Sequence, residues 1–384
     1  MNYFLKNKRV DINQYITLFV ITGSSILSLL PFFLNVATLK ELLWFGDAWD
    51  LLNQLQKQGL LVWVFSCFAE NFVPVFKLLW IGSIKMVGGS YFTMLSIVWA
   101  THAVIVFLYG LLLARVKIGL PGLISAILLF GISWTNIETL TWSVQWSSSL
   151  SVLFFLVAFH LLMSILKKPQ FDLMQFMTYI LFLLCSLLSF SRGIIGGVVL
   201  GSFCLLYAAD IRKKAPLQVA AYTSVSLGSS LLIALIIYLF TAGNHKSIFV
   251  FGWGVYLQML EFASTYFFFN PLASLFHLPW MLQNVHIFLL LAAFKIIVIY
   301  FSLRLANTEQ RRFIIIFLFM DLCNAVLLGL GRYHTGLSCA IGYRYQYVSY
   351  ICFGISFSIV VNSLINEVLR SQRLIIAGSI SSYL

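Results

Sequence analysis

From Tyr15 to Ala37 the chain runs for more than twenty residues without a charged side chain. Nine further apolar runs follow, near residues 91–114, 118–137, 146–166, 173–191, 193–209, 216–241, 283–303, 312–331 and 346–367. A helix rises about 1.5 Å per residue, so roughly 20 apolar residues cross the hydrocarbon core of a bilayer. Hydrophobic residues make up 61% of the 384 and charged residues 9%, where a soluble domain carries about 25% charged. A water-soluble fold could not cover that much apolar surface. The predicted class is all-α: one polytopic membrane domain over residues 1–384, with about ten transmembrane helices.

Charge gives the predicted orientation. Lys6, Lys8 and Arg9 precede the first run, which is too long for a cleavable signal peptide and should span and stay. Arg115, Lys117, Lys167, Lys168, Arg304 and Arg311 fall in the short gaps of the same side. By the positive-inside rule that side is cytoplasmic, with both termini inside. This use of Lys and Arg accounts for the net charge of +12. No basic and aromatic interleaving appears, so nucleic acid is not a predicted partner. Six scattered cysteines form no CxxC pair and no zinc spacing. Lys295 and Asp321 lie inside predicted spans, where each should face protein or water; a pair of the two is one way to meet that need, and nothing in the sequence shows it.

Two outer-face segments are long, about residues 38–90 and 244–284. The first contains helix-like stretches at Asp47 to Gln58 and Val75 to Val87. The second is rich in aromatics, which favour the boundary of lipid and water. Both are predicted to lie along the membrane as interfacial helices.

Acidic residues number twelve, and Asp47, Asp50, Glu70 and Glu138 fall on the predicted outer side. Carboxylates do little to set topology, so their clustering there points to chemistry. In Gly46-Asp47-Ala48-Trp49-Asp50, two carboxylates three residues apart share a helical face. Beside lipid, one of them gains a raised pKa and becomes a base. The same pair also suits a helix N-terminus, with Asp47 as cap and Asp50 as third residue. In Glu70-Asn71-Phe72-Val73-Pro74, an acid ends an apolar stretch just before a proline that can start a helix. Such a Glu is costly unless paired, so it binds a partner or caps.

Glu138, Trp142 and Gln145 fall at i, i+4 and i+7, one face of a continuous helix. An acid, an indole and an amide on one face suit a sugar; an interfacial aromatic belt is the alternative. Gly331-Arg332-Tyr333-His334 and Gly342-Tyr343-Arg344-Tyr345 flank the last outer turn. Arginine grips phosphate bidentately, although an Arg at a helix end also snorkels. His334 is a loop histidine that a base role would also fit. Arg192, in the turn Ser191-Arg192-Gly193, is a further candidate anion contact.

Taken in this order, the four constellations resemble those of bacterial members of the GT-C superfamily of polytopic membrane glycosyltransferases. The family's Glu-His-Arg-like motif and Gly-Gly turn are met by Glu70 and by Gly88-Gly89, with Asn71 and Phe72 standing in place of His and Arg. Its Glu-Asn-x-x-Trp-x-x-Gln-like motif is met by Glu138, Trp142 and Gln145. Its closing Gly-Arg and Ser-Arg-Tyr-like motif is met by Gly331-Arg332 and Arg344-Tyr345, with Tyr343 in place of Ser. The resemblance implies an enzyme at the outer face of the cytoplasmic membrane, in contact with membrane lipids. It would take a sugar from a polyprenyl-phosphate-linked donor to a glycan or lipid acceptor, with inversion. Asp47, then Asp50, would be the catalytic base. Glu70 and Glu138 would bind sugar or support the base; Asn71, Trp142, Gln145, His334 and Tyr345 would bind substrate; Arg332 and Arg344 would bind the phosphate. The resemblance implies no cofactor, although Asp47 and Asp50 offer a divalent cation two hard ligands.

Three other classes compete. A transporter or lipid flippase would place its ionisable residues at mid-membrane on broken helices. An O-antigen-type polymerase or ligase would share the outer arginines and the carrier. An inactive homologue would keep the fold alone. Convergence of Asp47 or Asp50, Glu70, Glu138 and an arginine on one outward cavity separates the transferase from the rest; a transporter would show a central cavity with alternate access.

Overall fold

A computed structural model describes residues 2–68, 71–167, 171–211, 216–241, 252–276 and 285–381. Among them no strand forms and the chain is helical throughout. The chain opens with α1 (Asn2–Leu27), α2 (Leu30–Leu34) and α3 (Val36–Glu41), then α4 (Asp47–Gln58), α5 (Leu60–Phe65) and α6 (Pro74–Met86). Next come α7 (Tyr91–Arg115), α8 (Leu120–Gly131), α9 (Asn136–Thr141), α10 (Trp146–Ile165), α11 (Leu173–Leu187) and α12 (Gly193–Ile211). The last part holds α13 (Pro216–Thr241), α14 (Trp253–Phe269), α15 (Leu272–Leu275), α16 (Val285–Leu305), α17 (Thr308–Arg332), α18 (Leu337–Ala340) and α19 (Gln346–Ser381).

Seven helical stretches among the described residues are long and apolar enough to cross a bilayer: Asn13–Leu34, Tyr91–Arg115, Ser143–Ile165, Leu217–Leu239, His286–Leu305, Thr308–Thr335 and Tyr343–Gln372. The chain is therefore an all-α polytopic membrane protein. Three shorter apolar helices, Leu120–Gly131, Leu173–Leu187 and Gly193–Tyr207, coincide with the third, fifth and sixth predicted runs. The third run falls short because the chain leaves the helix at Ile132 and turns into α9.

Local signals set several boundaries. Ser90 caps α7, its hydroxyl accepting from the Thr93 N–H. Asn307 and Gln310 cap α17 reciprocally, at 2.9 and 3.1 Å. Pro74 opens α6, as its position before a helical pattern predicts. Small residues then let the helices close up. A Cβ on Gly197 of α12 would sit 2.0 Å from Ser230 Oγ of α13. On Gly122 of α8 it would sit 2.2 Å from the Ser358 carbonyl of α19.

The segment between the first and second apolar runs carries α3 to α6, folded onto one end of the bundle. Trp44 Nε1 donates to the Gly89 carbonyl at 2.8 Å, and its ring packs edge-on against Trp80 and Tyr91. Lys77 is fully buried and donates to the carbonyls of Trp63 and Ser66, at 2.7 and 2.8 Å. Its ammonium thus closes the C-terminus of α5, where cations are favoured. The Val75 N–H donates to the Leu188 carbonyl, which fastens α6 to the end of α11.

Candidate functional site

One cavity gathers the ends of α13 and α17 and the turn after α11 with the starts of α10 and α12 and the turn before α19, which places them at one end of the bundle. At the opposite end Arg115 donates to His160 O and Ser164 Oγ, and Gln310 to Val116 O. The candidate residues fall at the first of these two ends. That cavity, of about 650 Å³, opens there. Its polar wall holds Asp47, Asn71, Gln145, Arg192, Arg332 and Arg344. Its apolar wall comes from α13 (Ala234, Ile237, Tyr238), α14 (Tyr256, Met259) and α17 (Leu328).

Asp47 is the first residue of α4. Gly46 makes the turn into the helix at φ +53°, a conformation that favours glycine. The structure differs here from the capping reading: Gly46 stands at the cap position and no side chain caps α4. Asp47 is half-buried on the cavity wall. Burial raises its pKa from the ordinary carboxylate value, and the neighbouring Asp50 charge adds to the rise. Arg344 and Arg332 pull the other way, so both guanidiniums lie within electrostatic reach of this carboxylate. Asp50, one turn further on, is exposed and does not line the cavity.

The expected single face of Glu138, Trp142 and Gln145 does not form. α9 ends at Thr141, Trp142 is extended (φ −110°, ψ 108°), and the chain re-enters a helix after Gln145. The Tyr91 hydroxyl holds this break, donating to Thr141 O at 2.8 Å and accepting from Ser143 N–H at 3.4 Å. Trp142 and Gln145 therefore line the cavity while Glu138 is exposed outside it. Phe45 stacks on Trp142 at 6.1 Å and ties the start of α4 to this break.

Asn71 is placed by a short antiparallel bridge to Phe68 and by Ser191, whose hydroxyl donates to Asn71 Oδ1 at 2.5 Å. Glu70 lies outside the described residues. The same turn carries Arg192, whose guanidinium lies 5.3 Å from the Phe190 ring and 5.2 Å from the Tyr345 ring. Arg192 Nη1 is buried and has no hydrogen-bond partner. Burial lowers its pKa from the ordinary guanidinium value, and Arg332 and Arg344 press it the same way. Arg344 sits 4.9 Å from that Tyr345 ring. Tyr345 is itself fixed through its carbonyl, which accepts from Tyr266 Oη at 3.2 Å. His334 is exposed, packed edge-on against Tyr333, and does not line the cavity.

Sequence reasoning missed the apolar wall, because Ala234, Ile237 and Met259 look like any other lipid-facing helix positions. Among the described residues no three His, Cys, Asp or Glu side chains are grouped to hold a metal ion. Among the described residues the wall presents one carboxylate, several guanidiniums, an amide pair and a long apolar flank. It suits a ligand with an anionic head, hydroxyl-bearing groups and an apolar tail. Compared with protein-family models, curated proteins and solved structures, the chain shows no match.

Proposed function

We propose that the chain is a GT-C-type membrane glycosyltransferase that moves a sugar from a polyprenyl-phosphate carrier to a glycan or lipid acceptor. In this reading the ten apolar helices all cross, both termini are cytoplasmic, and the cavity faces outward from the cytoplasmic membrane. Basic residues at the opposite end of the bundle support that orientation. One observation carries the reading: a half-buried, pKa-raised carboxylate shares a cavity with Arg332 and Arg344, and that cavity is flanked by apolar membrane helices.

Asp47 takes the proton of the acceptor hydroxyl. The acceptor oxygen attacks the anomeric carbon as the bond from that carbon to the carrier phosphate breaks, which inverts the centre. Arg332 and Arg344 stabilise the charge that develops on the departing phosphate. Trp142 offers a ring face to the sugar, with Asn71 and Gln145 hydrogen-bonding its hydroxyls. The carrier tail lies along the apolar wall.

The test replaces Asp47 and Asp50 separately with Asn and assays glycan transfer in membranes. Asp47→Asn is expected to lose about 10²–10⁴-fold, the range of a missing general base. Retained transfer in both variants removes the proposed base. A second reading, an O-antigen-type polymerase or ligase, is favoured by the weight of guanidinium over carboxylate on the described wall. Full chain-joining activity in Asp47→Asn would select it.

A further inference from the structure

Arg192 borders two spaces. One is the large cavity; the other is a second pocket of about 20 Å³, walled by parts of α10, α12 and α17. The rings of Phe190 and Tyr345 lie 5.3 and 5.2 Å from the guanidinium carbon. Ring contacts of this kind keep a guanidinium close but leave it free to turn in its own plane, whereas a hydrogen bond is directional. Arg192 Nη1 is buried and makes no hydrogen bond to the protein.

Asn324 of α17 is 1% exposed and borders the same small pocket. Its neighbours fix the direction of its amide. The Tyr345 carbonyl can only accept, so the Tyr266 hydroxyl spends its one proton there, at 3.2 Å. That hydroxyl must then accept from Asn324, at 2.6 Å, and only the amide nitrogen can donate to it. The other amide atom, Oδ1, is left buried and without a hydrogen-bond partner in the protein.

The pocket therefore joins an unspent charged donor to an unspent acceptor, and Ser148 of α10 adds a hydroxyl to its wall. An anion would suit Arg192 and be repelled by the Asn324 oxygen. A cation would suit that oxygen and be repelled by the guanidinium. A group that both accepts and donates serves the two. A buried water needs about 10–15 Å³ and two to four polar partners, and this pocket offers the volume and three such side chains.

We infer that one buried water accepts from Arg192 Nη1 and donates to Asn324 Oδ1, and that Asn324 is through it a positioning residue for Arg192. Asn324 then acts on Arg192 from two sides. Through Tyr266 it steadies the residue whose ring Arg192 packs on, and through the water it fixes the in-plane turn of the guanidinium. The direction in which Arg192 meets the large cavity is set before any ligand enters. Neither the water nor the role of Asn324 depends on the proposed transfer.

A cryo-EM map of the full chain in nanodiscs, at a resolution that shows ordered water, tests this directly. A single peak is expected at about 2.7–3.2 Å from both Arg192 Nη1 and Asn324 Oδ1. An empty pocket, or direct contact between the two side chains, overturns the inference. A peak that reaches Arg192 alone removes Asn324 from it. Ser148→Val puts an extra methyl on the pocket wall and leaves the bonds from Asn324 to Tyr266 and Tyr345 in place. It is expected to lose the peak and to turn the guanidinium in its plane, with Tyr345 unmoved and the melting temperature unchanged. A guanidinium that keeps its direction once the peak is gone shows that the rings alone hold Arg192, and the positioning role falls. The wild-type map decides the water site even where the variant fails to fold.

Discussion

Lys295 Nζ lies 2.9 Å from Asp321 Oδ2, and each side chain is 1% exposed. The ammonium also donates to the Asn270 carbonyl at 2.7 Å and to that of Phe267, so it fastens the end of α14 to α17. Both charges sit in apolar helices, and removing one partner strands the other in a medium that cannot solvate it. Asp321→Asn is expected to cost about 3–5 kcal/mol, the usual penalty of breaking a buried pair. The double replacement Lys295→Met with Asp321→Leu is expected to recover most of that loss. Melting temperatures in detergent check both; a single variant that melts like the wild type would deny the pair its structural role.

Asp47 sets the pH dependence of the proposed transfer. The group must be ionised to accept a proton, and burial with the Asp50 charge raises its pKa from 3.8. Activity is therefore expected to rise with pH through that raised value and to fall as acid protonates the base. Asp50→Asn removes a like charge from beside it, so the acidic limb of kcat/KM should move to lower pH. A limb that stays in place, or moves upward, would show that some other group titrates.

Lys77 offers a test of stability away from the cavity. It is buried outside the spanning helices, and burial lowers its pKa from 10.5 to about 8. The folded chain releases this proton first, so between those two values the unfolded chain binds more protons. Its contribution to stability therefore rises with pH across that window. Lys77→Met orphans the carbonyls of Trp63 and Ser66, at about 1–3 kcal/mol per buried group. The gap in stability between wild type and Lys77→Met should widen from the bottom of the window to its top. A gap that is flat or narrows contradicts the buried-cation account.

The membrane class was legible because about twenty uncharged residues in a row leave a chain few other options. The helices at Asp47–Gln58 and Pro74–Met86 fall where the pattern places them, since local polarity decides such short amphipathic pieces. That Lys295 and Asp321 each need a polar neighbour was legible, because charges inside apolar spans must face protein or water; that they meet each other shows only in the fold. The break at Trp142 was not legible. It depends on the Tyr91 hydroxyl, fifty residues away in the chain, and a periodicity cannot see a partner from another helix. The same blindness hid the apolar wall.

That break yields a contrast between neighbours. Glu138 and Gln145 were expected on one face with Trp142, yet Gln145 lines the cavity and Glu138 is exposed outside it. His334 is likewise outside, although Arg332, two residues before it, lines the wall. Glu138→Gln and His334→Ala should therefore leave transfer within about threefold of wild type, as exposed changes away from a site do. Gln145→Ala and Asn71→Ala each remove a group that would hydrogen-bond a sugar, and should each cost up to about tenfold, since one hydrogen bond contributes about 0.5–1.5 kcal/mol. Initial rates in membranes, normalised to the amount of folded protein, distinguish the two pairs. If Glu138→Gln were the most damaging of the four, the helix break would not persist in the working enzyme, and the continuous face read from the sequence would be its active form.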